Sequence, residues 1–128
     1  NGRFTPAQRE VYDAVLSVNQ QVIQKVKPGV TLNELHSDSI FSFLKPMQDM
    51  GLVKERTNVQ ASSITRFYVH SVSHYLGMDT HDTSTISHNI PLEPGMVFTV
   101  EPGLYIGYED DIPERLRGIG VRIEDNIL

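Results

Sequence analysis

The sequence predicts an α+β fold, in which two helices are followed by a mostly antiparallel sheet. Two segments with strong helix-start signals lie within residues 1–51. The apolar runs after residue 64 are short and are separated by Pro and Gly, as strands are. Helices and strands segregated along the chain in this way favour an α+β domain. At 128 residues, the chain suits a single domain, 1–128, with a real core.

The first helix has a clear start signal. Thr5 suits the N-cap, Pro6 the first helical position, and Gln8 completes a capping box with Thr5. The Lys-Pro-Gly sequence at 27–29 is expected to end the helix. Its apolar face recurs at helical spacing and comprises Val11, Ala14, Val15, Val18, Val22 and Val26.

The second helix opens in the same way, with Thr31 as N-cap and Glu34 as its capping-box partner. Pro46 is expected to kink or break this helix, because proline lacks an N–H and crowds the preceding turn. Gly51 suits the C-terminal stop. We expect both helices to be scaffold. The buried side of the second comprises Leu32, Leu35, Phe43, Leu44 and Met47.

Short strands are predicted in the second half of the chain. Segment 64–75 is rich in aromatic and β-branched residues, which favours a strand. Segment 96–100 is a short apolar run that suits a buried strand with Glu101 at its end. Polar or turn-forming composition predicts loops or connectors at 54–63, 84–89 and 91–95.

The last part of the chain alternates between apolar and other residues. Segment 104–106 continues the preceding strand beyond the Pro-Gly bend, and 108–114 is an acidic loop. From 119 onward, strand periodicity places Arg122 and Glu124 on one face. The opposite face carries Ile119, Val121 and Ile123.

Composition excludes several function classes. The net charge of −5 and the lack of any basic run argue against a nucleic-acid or membrane surface. No apolar run is long enough to cross a bilayer, and the start does not resemble a signal peptide. With no cysteine, the chain has no disulfide and no thiolate metal site. Any metal must therefore be held by oxygen and imidazole.

A candidate site centres on residues 70–82, which hold three of the five histidines. Taken singly, such residues are more often exposed or structurally paired than functional. Imidazole and carboxylate together, however, suit a divalent metal such as Mn, Co or Zn. The combination therefore favours a site. Its candidates are His70, His74, His81, Glu101 and Glu124.

The two glutamates differ in what the sequence offers as a partner. Glu101 follows a run that is expected to be buried, and a buried carboxylate is costly unless it is paired or metal-bound. Glu124 has a possible partner in Arg122, so a purely structural ion pair remains an alternative for it.

The histidines do not form a helical zinc motif. His74 and His81 lack the adjacent-turn spacing, and Gly77 between them disfavours helix, so a strand and its loop fit better. Asp79 and Asp82 are expected to cap the turn or to orient His81. The two remaining histidines, His36 and His88, are expected to be exposed.

These residues resemble a known family. The chain looks like the catalytic domain of the Xaa-Pro aminopeptidase (aminopeptidase P) branch of the pita-bread metallopeptidases. The resemblance implies a partial pita-bread (creatinase/aminopeptidase) fold with two helices on a curved, mostly antiparallel sheet. It runs from end to end and is most specific around Glu101 and Glu124. The matching segments are 1–5, 8–10, 70–82, 92–96, 100–106 and 117–125.

The resemblance implies a two-metal hydrolase, typically manganese-dependent, that removes the N-terminal residue from peptides with proline in second position. His74 and Glu101 would then be ligands of one metal, and Glu124 would bridge the two. His70 and His81 would line the substrate pocket, with His81 assisting proton movement. Arg122 would contact the metal ligands without binding the metal itself.

The family's site has five protein ligands, of which two are aspartates that precede the Asn-Gly-Arg-Phe-Thr segment. Neither aspartate lies within residues 1–128, and we expect the family's last strand and N-terminal domain to lie outside these residues as well. The chain is therefore expected to be the C-terminal part of a catalytic domain without its first hairpin and last strand. Asp38 and Asp49 have the spacing of the missing pair, but they fall in the second predicted helix. We therefore expect this spacing to be coincidental.

Two rival functions and one alternative location stay open. The chain on its own is expected to be a weak or inactive peptidase, and an unpaired sheet edge favours self-association. One rival function is a non-catalytic interaction module on the same fold. Another is Xaa-Pro dipeptidase or methionine aminopeptidase-like specificity. A cytoplasmic location is expected, with a mitochondrial one as the alternative.

Overall fold

Helix α1 (Pro6–Lys25) is the first half of the scaffold. In the computed structural model, which describes residues 2–79, 81–82 and 85–128, the Thr5 hydroxyl accepts the Gln8 N–H at 3.2 Å. The Gln8 side-chain oxygen accepts the Thr5 N–H at 2.9 Å, so the expected capping box is confirmed. Asn1 and Thr80, in segments that carry the resemblance, and Ser84, in the predicted connector, lie outside the described residues.

Helix α2 (Leu32–Met50) packs against α1 and is capped at both ends as expected. Thr31 and Glu34 form the capping box, and Gly51 adopts the left-handed conformation (φ 80°) that ends the helix. Pro46 lies inside the helix and does not end it, so of the expected kink or break, the break is wrong. Burial of its neighbours Phe43 and Met47, both 0% exposed, offsets the loss of one backbone hydrogen bond.

Among the described residues, four short strands form two antiparallel pairs, so the α+β prediction is confirmed. Strand β1 (Phe98–Val100) pairs with β4 (Asp125–Ile127), and β2 (Gly103–Tyr105) pairs with β3 (Gly120–Arg122). Both pairs keep the same register. A 3₁₀ turn, Glu114–Leu116, precedes β3. The predicted alternation along the last strands is confirmed, since the apolar face is partly buried and the other is exposed.

The predicted strand at 64–75 is wrong over most of its length. A short helix, α3 (Ala61–Thr65), occupies its start and packs against α2. The helical turn directs Ile64 and Phe67, both 2% exposed, into the core, which a strand would not do. Only the end of the segment lies along β1, with one isolated bridge between Tyr75 and Phe98.

The core lies between the helices and the strands. Val11, Val15 and Val18 of α1 are 0% exposed, and α1 contacts both α2 and the strands. One polar residue, Asn19, is buried among them at 1% exposure. In the part of the chain that the structure describes, no helix is long and apolar enough to span a membrane.

Candidate metal centre

The two candidate glutamates lie opposite each other on neighbouring strands. Glu101 follows β1 and Glu124 follows β3, and the shared register of the two sheets places these positions across from one another. Residues opposite each other in a non-hydrogen-bonded pair bring their side chains close together. The ligand-capable atoms of His74, Glu101 and Glu124 all lie within 4.8 Å of one another. The structure therefore brings together all three predicted metal ligands.

Two backbone hydrogen bonds from the 99–101 segment position His74 beside Glu101. The Glu101 N–H donates to the Val72 carbonyl at 2.8 Å, and the Thr99 N–H donates to the His74 carbonyl at 2.9 Å. The His74 N–H donates to the Thr99 hydroxyl at 3.1 Å instead of to a carbonyl, which interrupts the regular ladder. This segment therefore follows β1 without being a full strand.

The Glu101 carboxylate is 5% exposed and has three partners. Oε1 lies 3.0 Å from His74 Nε2 and accepts the Thr99 hydroxyl at 3.0 Å. Oε2 accepts Arg122 Nη1 at 2.8 Å. The sequence pointed to Arg122 as a partner of Glu124. Its ion pair is instead with Glu101, and Glu124 has none within 4.0 Å among the described residues.

The donor set fits a divalent cation. His74 Nδ1 lies 3.0 Å from the Tyr75 carbonyl, a contact in which the ring must donate, so a neutral ring directs its Nε2 lone pair at Glu101. Two acceptors 3.0 Å apart need a proton or a cation between them. Adjacent octahedral ligands at about 2.1 Å from a metal are also about 3.0 Å apart. Two opposed carboxylates likewise repel unless a cation joins them.

Tyr105 belongs to the site but was not singled out from the sequence. Its hydroxyl accepts Arg122 Nε at 2.6 Å and lies 2.9 Å from His70 Nε2. His70 Nδ1 in turn lies 2.8 Å from the Ser71 carbonyl, which can only accept. A consistent chain of donors thus runs from Arg122 through Tyr105 and His70 to Ser71. Strand periodicity from Glu101 was the available signal, because it places Tyr105 on the same face.

An open pocket of about 630 Å³ adjoins these groups. The exposed His81 ring stands edge-on to His74, with ring centroids 4.8 Å apart. As expected, Asp82 caps the turn, because its carboxylate accepts the N–H groups of Met78 at 2.6 Å and Asp79 at 3.3 Å. The pocket is lined by His70, Ser71, Ser73, His74, His81, Asp82, Ile86, Ser87, His88, Glu101 and Arg122.

The expected exposure of the other two histidines is wrong. His36 is partly buried, and its Nδ1 accepts the Val72 N–H at 3.2 Å. Burial, and to a smaller extent nearby His70, lowers the pKa of His36. His88 is also partly buried, with its ring edge-on to Tyr75. Hydrogen bonding and ring packing of this kind leave no local sequence pattern.

The spacing of Asp38 and Asp49 is coincidental, as expected. Both lie on α2, more than ten residues apart, and face different partners. Asp38 accepts a hydrogen bond from Lys25 at 2.9 Å, and Asp49 pairs with Lys45. Neither belongs to the cluster around Glu101 in the described chain.

The matches to curated relatives cover all or nearly all of this chain, but the chain covers only part of each relative. Human Xaa-Pro aminopeptidase 3 is 43% identical over all of this chain and 26% of its own length. Escherichia coli Xaa-Pro aminopeptidase is 39% identical over all of this chain and 30% of its own length. Arabidopsis thaliana intermediate cleaving peptidase 55, named as mitochondrial, is 42% identical over 99% of this chain and 25% of its own length. The chain thus spans about a quarter to a third of these relatives.

Solved structures of such peptidases also match nearly the whole of this chain. Aminopeptidase P from E. coli, in a low-pH form, superposes with a TM-score of 0.90 at 38% identity, over 98% of this chain and 30% of that one. Icp55 from Saccharomyces cerevisiae superposes with a TM-score of 0.83 at 35% identity, over 98% and 31%. The expected partial pita-bread fold is confirmed, and the names of these relatives match the expected enzyme type. The sequence profile of metallopeptidase family M24 matches residues 1–128, and the chain belongs to that family.

Proposed function

We propose that this chain carries part of the active site of an aminopeptidase that releases the N-terminal residue from peptides with proline in second position. One observation carries the proposal: a buried carboxylate, an exposed carboxylate and a histidine nitrogen converge within 4.8 Å at the edge of a pocket. The names of the relatives, Xaa-Pro aminopeptidases, support the substrate class.

His74, Glu101 and Glu124 would hold the metal. The resemblance to aminopeptidase P implies manganese and two ions in a complete site, and imidazole and carboxylate ligands also suit cobalt or zinc. A zinc-substituted form of E. coli aminopeptidase P is among the similar structures. When bound, the cations activate water at neutral pH and stabilise negative charge on the substrate carbonyl.

The remaining site residues would bind and orient. Arg122 holds Glu101 in place and, through Tyr105, is linked to His70. His81 is exposed in the pocket, where its ring can accept and return a proton at the substrate nitrogen. His70 would contact the substrate from the pocket wall.

Three ligands do not make a complete two-metal site. The described residues contain one cluster of potential ligands, so we expect this chain alone to bind one metal and to turn over peptides poorly. We propose that residues 1–128 form one domain, the C-terminal part of a pita-bread catalytic domain. An exposed strand edge favours self-association, which sedimentation velocity over a concentration series would detect.

Two alternative functions are compatible with the same fold. A non-catalytic interaction module would conserve the fold without metal, and specificity for Xaa-Pro dipeptides or initiator methionine would use the same metal centre. Nucleic acid and membranes are not proposed as partners, given the net charge of −5. We propose a cytoplasmic location, with mitochondria as the alternative, which the name of the Arabidopsis relative favours.

The test is metal content after dialysis against manganese. The chain should retain close to one manganese ion, and a variant with His74→Ala and Glu101→Ala should retain none. His88→Ala, which removes a different pocket histidine, is the matched control and should keep the metal. Retention by the double variant, or no retention by the parent chain, would refute the proposed centre. Robust manganese-dependent cleavage of a Gly-Pro-type peptide would refute the expected weak activity.

A further inference from the structure

The two short sheets form one ladder with a gap at the candidate metal centre. Because β1–β4 and β2–β3 share a register, that register places Pro102 opposite Ile123. The Ile123 N–H donates to the Pro102 carbonyl at 3.3 Å. The reciprocal bond cannot form, because proline has no N–H. The Ile123 carbonyl therefore lacks its donor from the opposite strand.

Asn19 supplies that donor from α1. It is 1% exposed, and its side-chain amide Nδ2 donates to the Ile123 carbonyl at 3.4 Å. The same nitrogen donates to the Val100 carbonyl at 3.2 Å. An amide NH₂ group carries two hydrogens, so one side chain can serve both carbonyls.

The two carbonyls belong to the residues immediately before Glu101 and Glu124. We propose that Asn19 is a positioning residue that sets the spacing of these two glutamates by bonding both strands at once. The inference rests on the proposed metal site, for which that spacing matters. The opposed carboxylates repel each other in the absence of a cation, and Asn19 opposes their separation by tying both backbones to the same helix.

The decisive variant is Asn19→Leu, because the leucine side chain is similar in volume to asparagine but has no hydrogen-bond donor. We expect manganese to bind about tenfold more weakly to this variant, made in the intact polypeptide that contains this chain. A loss of this size is typical when the hydrogen-bond partners of metal ligands are removed. Val22→Ala is the control, because Val22 is 1% exposed on the same helix but bonds neither strand. It should lower stability and leave manganese affinity within twofold. Calorimetric titration with manganese alone measures the affinities of the two variants, and urea denaturation measures their stabilities.

A second substitution tests the cause. Pro102→Ala restores a backbone N–H opposite Ile123, so the double variant Asn19→Leu, Pro102→Ala should recover most of the lost affinity. Equal losses in the single and double variants would overturn the inference, as would unchanged affinity in Asn19→Leu. Should Asn19→Leu fail to fold, Pro102→Ala is compared with the double variant. These differ only at Asn19 and should bind alike, and a difference of tenfold or more contradicts the inference.

Amide hydrogen exchange separates this inference from the proposed function. In metal-free protein, Asn19→Leu should speed exchange at the Ile123 N–H about tenfold relative to Val22→Ala, since the strands lose their tie. If the parent protein binds no manganese, the proposed metal site fails, and the exchange measurement still tests the tie. If it binds manganese and neither affinity nor exchange changes in Asn19→Leu, the inference alone fails.

Discussion

At the scale of single residues, the candidate centre depends on how the Glu101 carboxylate is held. Its partners come from three separate places in the chain, His74, Thr99 and Arg122. Arg122 is the only one of the three that also bonds Tyr105, through a second nitrogen of the same planar group. The two contacts need the fork geometry of a guanidinium, which lysine does not have.

Arg122→Lys should therefore weaken manganese binding about tenfold while preserving the net charge. The ammonium can bond Glu101 or Tyr105 but cannot hold both in the present geometry. Titration with manganese measures the change, and Arg56→Lys, at an exposed position outside the pocket, is the matched control. Equal affinity in Arg122→Lys and Arg56→Lys would show that charge alone suffices.

His36 gives a prediction about pH. Burial and nearby His70 lower its pKa, so the folded state favours the neutral ring, whose Nδ1 accepts the Val72 N–H. The unfolded chain therefore takes up a proton first as pH falls below about 6.5. The contribution of His36 to stability is full above that pH and is lost progressively below it.

His36→Asn keeps an acceptor near the Nδ1 position and does not titrate. Its free energy of unfolding should fall less steeply than that of the parent chain between pH 7 and pH 5. The difference cannot exceed about 1.4 kcal/mol per pH unit, the limit for one proton. Urea unfolding at a series of pH values measures it, and parallel pH profiles would contradict the role given to His36.

At the scale of secondary-structure elements, β2 must pass close to two site side chains. A Cβ on Gly103 would lie 2.8 Å from the Tyr105 hydroxyl and 3.1 Å from His70 Nε2. The first distance is too short, so Tyr105 would have to move. The hydrogen bonds that link Arg122 to His70 through the Tyr105 hydroxyl would then break. Glycine at this position is thus a requirement of the site.

Gly103→Ala should cost about 1–3 kcal/mol of stability, as overpacked positions do. Gly120→Ala is the matched control on the facing strand, because its Cβ would lie 3.5 Å from Tyr105, an ordinary contact. Urea denaturation compares the two variants. Equal stability would mean that Tyr105 relaxes freely and that its hydroxyl is not fixed.

The sequence predicted the two long helices better than the segment that follows them. Capping at Thr5 and Thr31 depends on residues three positions apart, so it is visible in the sequence. The helix at 61–65 forms because tertiary packing buries Ile64, which local composition does not reveal. The three candidate ligands were found from residue type and family resemblance, whereas Tyr105 was missed because its partners, Arg122 and His70, lie in other segments of the chain.

At the scale of the whole molecule, the candidate centre joins three segments that are far apart in the sequence. A cation bound there should stabilise the fold, because the unfolded chain does not hold the ligands together. Manganese at about 100 times its dissociation constant should add about 2.7 kcal/mol to the free energy of unfolding. His74→Ala should abolish the gain and His88→Ala should preserve it. The same gain in both variants would place the bound metal elsewhere.

Asn19 also has a consequence for how the chain assembles. Helix α1 can form early from local contacts, yet the acceptors of its one buried amide lie 81 and 104 residues further along the chain. A strand that slips by one position turns its side chains to the wrong face, and it would leave this amide sealed in the core with nothing to bond. The asparagine thus penalises collapsed states with shifted strands, and it makes early, nonspecific compaction less stable than the correctly paired fold.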